Sequence, residues 1–151
     1  MKSLRILLAL IAGVALAFGA PAMAQKKDHK HEKGESHFKV TPPADVKAAW
    51  TLITTKVAEA GKLLADKKVE PVHEIAEHLE AAVAVLEEKS TMVTGDKKTR
   101  LASALKQLGK AVDDLHHAGE DNNAARAGAE LKKIQGILPL VEAQYPAGVL
   151  K

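Results

Sequence analysis

Two short stretches of the chain are rich in side chains that ligate metal ions. Residues 73–78 read His-Glu-Ile-Ala-Glu-His, and residues 113–117 read Asp-Asp-Leu-His-His. Residues four apart lie on one face of a helix, so His73 can meet Glu77 and Asp113 can meet His117. The chain has no cysteine, so His, carboxylate or Met side chains must hold any metal ion. Imidazole and carboxylate ligands suit Cu²⁺, Ni²⁺ or Zn²⁺. We therefore expect a metal cluster among His73, Glu77, Asp113, His116 and His117.

The spacing within the first stretch limits which residues can share an ion. His73 and His78 are five residues apart, about 140° around a helix, so we do not expect one ion to bind both. The alternative for both stretches is an ordinary solvated helix surface, because Glu and His pairs at this spacing stabilise helices modestly without any ligand.

A third group of histidines lies in the polar stretch of residues 25–40. His29, His31 and His37 stand there among five lysines. This stretch has no apolar periodicity, so we expect a disordered tail. Two interpretations stay open: a solubilising leader, or a weak and flexible ligand set for Cu²⁺ or Ni²⁺.

The elements that must position these side chains are helices. Apolar residues recur at spacings of three and four in four segments, which is typical of amphipathic helices packed in a bundle. The clearest seam lies in residues 101–117 and consists of Leu101, Leu105, Leu108, Val112 and Leu115. Trp50 lies on the seam of the first helix and is expected in the core. The pattern predicts an all-α, up-down-up-down antiparallel four-helix bundle over residues 41–147, followed by a C-terminal tail at residues 148–151.

Proline, glycine and capping residues set the expected helix ends. Thr41 can cap the first helix, and Pro71 suits the start of the second, which ends near residue 89. The third helix is expected to end before Gly119, which can form a left-handed cap. The fourth helix is expected to bend at Pro139 and to continue to Tyr145.

The topology places the start of the second helix beside the end of the third. If the turn between them centres on Met92, His73 lies opposite Ala111, and His116 lies roughly 7–8 Å further along the axis. A site that contains both His73 and His116 then requires helix tilt or extended rotamers.

Residues 1–24 have the features of a secretory signal peptide. Lys2 and Arg5 form a basic region, residues 6–18 are apolar, and Ala22-Met23-Ala24 is a small-x-small cleavage site. We expect cleavage after Ala24 and a periplasmic or secreted protein with no membrane attachment; an uncleaved anchor is the alternative. Cleavage removes two basic and no acidic residues, so the formal net charge falls from +3 to +1. A chain so close to neutral is not expected to bind nucleic acid.

The motifs indicate a binding protein and not an enzyme. There is no Gly-rich phosphate loop, no Gly-x-Ser-x-Gly elbow and no His-Glu-x-x-His motif. The expected function is binding or sequestration of a divalent transition metal by an exported bundle. The alternative is a non-catalytic periplasmic structural module that docks a protein partner. An exposed apolar strip would mark that module, with candidates at Leu52, Leu63, Val93 and Leu150.

The exported, short-linked bundle resembles the cytochrome b562 and cytochrome c′ group of periplasmic four-helix proteins over residues 42–145. Members of that group hold haem through a Met near the start of the first helix and a His late in the fourth, or through Cys-x-x-Cys-His late in the fourth. Here residues 42–46 read Pro-Pro-Ala-Asp-Val, and residues 140–145 contain neither His nor Cys. The resemblance implies the fold, but haem is not expected at the usual place. A haem carrier is the third function considered.

Overall fold

The computed structural model describes residues 38–151, and these residues form four α-helices and no strand. The helices are α1 (Val46–Ala65), α2 (Pro71–Lys89), α3 (Gly95–Glu120) and α4 (Ala124–Glu142). Consecutive helices pack against each other, and α1 also contacts α4, which closes the bundle. The predicted all-α four-helix bundle is confirmed. No helix in the described part of the chain is both long and apolar enough to cross a membrane. The expected signal peptide lies outside the described residues.

The predicted seams fill the core. All five seam residues of α3 are at most 3% exposed, and Trp50 on α1 is 8% exposed. The proposed apolar strip is not found at the positions named for it. Val93 and Leu150 are buried, and Leu52 and Leu63 are partly buried against the core. These four side chains therefore contribute to packing and do not mark a docking surface.

The first helix begins later than Thr41 and Pro42 suggest. Its first residue is Val46, and the Asp45 side chain caps it by accepting a hydrogen bond from the Ala48 N–H at 2.8 Å. The prediction of a Thr41 cap was wrong because Pro42 is itself followed by a proline. A residue that precedes proline is driven out of the helical region of backbone space, so the helix forms only after the prolines.

The second and fourth helices follow their expected courses more closely. Pro71 occupies the first turn of α2, which ends at Lys89 as predicted. Helix α4 continues through Pro139 and ends at Glu142, short of the predicted Tyr145. The Tyr145 side chain is buried, and its hydroxyl shares a hydrogen bond with that of Ser90.

The end of α3 differs from its prediction in a way that shapes the site. Gly119 lies inside the helix, and Asn122, with φ of 49°, adopts the left-handed conformation that was expected of the glycine. Asparagine tolerates this conformation better than most residues. Gly119 is needed for a different reason: a Cβ at its position would lie 2.7 Å from the backbone nitrogen of His73. The missing side chain lets the end of α3 touch the start of α2.

Candidate metal centre

The contact between the start of α2 and the end of α3 brings two histidines together. The rings of His73 and His116 stack with centroids 4.4 Å apart and an angle of 28° between their planes. The expected register was wrong, because Gly119, and not Ala111, lies against the backbone of His73. On α3, His116 precedes Gly119 by three residues, about one helical turn, so the same contact places the His116 ring beside His73.

His73, Glu77 and His116 form a cluster that can hold a metal ion. Each residue offers one ligand atom, and these atoms all lie within 4.8 Å of one another. Nε2 of His73 is 3.7 Å from Oε1 of Glu77. Glu77 is only 4% exposed and His116 only 7%. An ionised carboxylate at such depth is costly unless a nearby positive charge or hydrogen-bond donors compensate it.

Two further carboxylates lie beside the cluster, and neither was predicted from the sequence. Oε1 of Glu120 lies 3.8 Å from Nε2 of His73 and 3.8 Å from Nε2 of His116. Oε1 of Glu80 accepts a hydrogen bond from Nδ1 of His116 at 3.0 Å. A spacing signal for them exists in the sequence. Glu80 follows Glu77 by three residues and Glu120 follows His116 by four, so each extends its helix face by one turn.

His117 and Asp113, both predicted as ligands, lie at the edge of the cluster. Nδ1 of His117 donates to Oε2 of Glu120 at 3.1 Å, and its Nε2 is 3.8 Å from Oδ1 of Asp113. The His117 ring also stacks on that of His116, with centroids 5.8 Å apart. His117 therefore supports Glu120 and His116, and Asp113 meets the cluster through His117.

The chain segment before α1 reaches the same place. The N–H of Phe38 donates to Oε2 of Glu77 at 3.0 Å, and the phenyl ring meets the His73 ring at 81° with centroids 5.3 Å apart. Phe38 thus covers one side of the cluster and orients its buried carboxylate. The tail ligands predicted just before it, His29, His31 and His37, lie outside the described residues.

The electrostatics of the cluster favour a bound positive charge. The hydrogen bond to Glu80 raises the pKa of His116, burial opposes this, and the charges of Glu80 and the nearby carboxylates add to the rise. Burial works to raise the pKa of Glu120, but its hydrogen bond from His117 and the neighbouring imidazoles lower the pKa overall. Ionised carboxylates beside buried imidazoles can take up a proton or a metal cation.

Comparison of the chain with protein-family models, with curated proteins and with solved structures found no match. The resemblance to the cytochrome b562 and cytochrome c′ group therefore stays a prediction.

Proposed function

We propose that this protein is an exported helical bundle that binds and sequesters a divalent transition metal ion between α2 and α3. The observation that supports this most directly is the convergence of His73, Glu77 and His116, whose ligand atoms lie within 4.8 Å of one another. Helical bundles hold metals in this way, with ligands from facing helices. Imidazole and carboxylate donors suit Cu²⁺, Ni²⁺ and Zn²⁺.

The negative charge of the cluster favours binding of a cation. If both imidazoles are neutral, Glu77, Glu80 and Glu120 bring three negative charges around them. The Glu77 side chain is only 3% exposed, so water screens its charge poorly. A divalent ion bound by the neutral imidazoles compensates two of these charges.

In this proposal the N-terminal part of the chain handles export and collection. The signal peptide directs the chain to the periplasm or out of the cell, and His29, His31 and His37 gather metal for the bundle. Expression of the full chain in a bacterial host should yield periplasmic protein whose intact mass corresponds to a start at Gln25. Protein that stays in the cytoplasm and retains Met1 would contradict export.

The metal function is tested by calorimetric titration of Cu²⁺, Ni²⁺ and Zn²⁺ into the protein that begins at Gln25. Replacing His29, His31 and His37 by alanine removes the tail ligands and leaves the bundle intact. We expect this tail variant to keep one submicromolar site for at least one of these ions. Adding His73→Ala and His116→Ala to it should abolish that site.

His78→Ala is the matched control for the histidine replacements. It removes a histidine from the same helix but away from the cluster, so binding by the tail variant should be unchanged. Retention of full affinity after loss of both His73 and His116 would exclude the proposed site.

A further inference from the structure

The distances between donor atoms distinguish the geometries that the candidate metals prefer. Nε2 of His73 lies 3.7 Å from Oε1 of Glu77, and Oε1 of Glu120 lies 3.8 Å from the Nε2 atoms of both histidines. A tetrahedral Zn²⁺ ion with ligands at about 2.1 Å separates its donors by about 3.4 Å. Adjacent donors around a square-planar Cu²⁺ or Ni²⁺ ion are closer, at about 2.8 Å. Each of these three separations is closer to the tetrahedral value than to that of adjacent square-planar donors.

We propose, on the basis of the metal-binding function above, that the site is a tetrahedral Zn²⁺ site with Glu120 as its fourth ligand. The four donors are Nε2 of His73, Nε2 of His116, Oε1 of Glu77 and Oε1 of Glu120. Four protein ligands fill the coordination sphere of zinc and leave no position for a reactive water. Such a closed site stores or carries the ion and does not use it in catalysis.

Hydrogen bonds around the cluster orient both carboxylate ligands toward the histidines. Oε2 of Glu77 accepts the Phe38 N–H, and Oε2 of Glu120 accepts Nδ1–H of His117. In each case the other oxygen, Oε1, faces a histidine Nε2. Each carboxylate is therefore arranged to bind through one oxygen, which a tetrahedral site with four protein ligands requires.

Glu80 is a positioning residue for His116. An ionised carboxylate only accepts hydrogen bonds, so the 3.0 Å contact places the imidazole proton on Nδ1 and directs the Nε2 lone pair to the ion. Carboxylate–histidine–zinc arrangements of this kind fix the ring and increase its basicity. The His73 and His116 rings are stacked with 28° between their planes, so ion binding requires them to turn until both in-plane Nε2 lone pairs point at the ion.

Cobalt spectroscopy tests the geometry directly, because tetrahedral Co²⁺ absorbs strongly in the visible range and octahedral Co²⁺ absorbs weakly. Co²⁺ is titrated into the tail variant that begins at Gln25, and Zn²⁺ is then added. We expect intense tetrahedral bands that one equivalent of Zn²⁺ removes. Competition titrations should show Zn²⁺ binding at least about tenfold more tightly than Ni²⁺, since the latter favours square-planar or octahedral donors.

Two substitutions separate the roles of the outer carboxylates. Glu120→Gln should weaken Zn²⁺ binding by at least about 100-fold and convert the cobalt spectrum to the weak bands of a higher coordination number, because it removes a ligand. Glu80→Gln should weaken binding by about 10- to 100-fold but keep the tetrahedral bands, because it removes only an orienting group. Glu74→Gln on the outer face of α2 is the control and should change neither the Zn²⁺ affinity nor the cobalt spectrum. Glu120→Asp retains the charge, shortens the side chain and should again lose the tetrahedral bands.

The outcomes separate this inference from the proposed function. If the tail variant binds Zn²⁺ tightly but gives weak cobalt bands, or if Glu120→Gln retains full affinity and spectrum, the tetrahedral assignment is wrong and metal binding stands. If the tail variant binds none of the metals, the proposed function itself is wrong, and the zinc assignment falls with it.

Discussion

Helix α2 carries two His–Glu pairs with the same spacing and very different surroundings. In the inner pair, His73 faces Glu77 at 3.7 Å, and the Glu77 side chain is 3% exposed. In the outer pair, His78 faces Glu74 at 4.0 Å, and the Glu74 side chain is 54% exposed. The inner pair meets His116 and Glu120 from α3. Within residues 38–151, the metal-ligand cluster does not include the outer pair.

The difference shows that residue spacing along one helix only pairs two side chains. Residues from a neighbouring helix are needed to complete a metal-ligand cluster. Exposed pairs of this type contribute only a few tenths of a kcal/mol, because water screens both charges. The inner pair lies where Gly119 allows the backbones of α2 and α3 to approach. Substitutions at matched positions of the two pairs, and at that glycine, therefore test whether the contact with α3 creates the site.

The largest effect is expected from Gly119→Ala. The new Cβ would lie 2.7 Å from the His73 nitrogen and 2.9 Å from its Cα, and these backbone atoms cannot move without displacing α2. We expect a loss of about 2–3 kcal/mol in the free energy of unfolding, together with loss of metal binding. Urea denaturation and zinc titration measure the two effects.

The control for this change is Gly128→Ala in α4, where a Cβ would meet nothing within 4 Å. It should stabilise the protein by about 0.5–1 kcal/mol, because alanine is the better helix former. Equal effects at the two glycines would show that the close helix contact has no special role.

A smaller but clear difference is expected between Glu77→Gln and Glu74→Gln. Both replace a carboxylate by an amide of the same shape on the same helix. Glu77→Gln removes a ligand and should weaken Zn²⁺ binding at least about 100-fold, more than the loss of an orienting group typically costs. Glu74→Gln should leave the dissociation constant unchanged. Competition with a chromophoric chelator measures both, and similar affinities for the two variants would mean that the pairs are equivalent.

The contact between His116 and Glu80 should also make the stability of the protein depend on pH. Because the pKa of His116 is raised in the folded state, its interaction with Glu80 stabilises the protein fully below about pH 6.5 and is lost as the pH rises through the raised value. The urea concentration at the midpoint of unfolding, measured without metal, should therefore decrease as the pH rises through this range. Glu80→Gln should remove this decrease, and Glu74→Gln should retain it. A pH profile that Glu80→Gln leaves unchanged would argue against this role of the His116–Glu80 contact.

Metal affinity should change with pH in the opposite direction to this stability contribution, increasing as the pH rises. Protons compete with the ion for imidazole, so affinity should fall as the pH decreases, by up to about tenfold per pH unit for each imidazole that must lose a proton. Zinc titrations between about pH 6 and 8 test this. Affinity that is independent of pH over that range would exclude histidine ligands.

The smallest effect is expected from Phe38→Ala. The phenyl ring is 39% exposed and meets one face of the inner pair, while the amide that binds Glu77 is retained. We expect a loss of about 1 kcal/mol or less in stability and faster release of metal to a chelator. Met92→Ala, which truncates another exposed apolar side chain, should not change the release rate. Equal release rates in both variants would show that Phe38 does not cover the site.

The helices and their buried faces could be read from the sequence because both depend on local order along the chain. Periodicity identified the seam of α3, and Pro71 marked the start of α2. The errors arose where residues compete for a helix end: Pro43 excludes its neighbour from α1, and Asn122 adopts the conformation expected of Gly119. The side-chain type indicates which residues can cap a helix end. The conformation of the surrounding backbone determines which of them forms the cap.

The types and order of the residues establish which side chains are available for chemistry and which pairs share a helix face. They also establish the four-helix fold, since apolar spacing depends only on the geometry of one helix. Packing between the helices establishes the rest. The approach at Gly119 places His73 beside His116, brings in Glu80 and Glu120, and leaves Asp113 at the edge. Register and rotation between helices depend on packing across the interface, and a shift of one turn, about 5.4 Å, exceeds the distance between any two ligands of a metal ion.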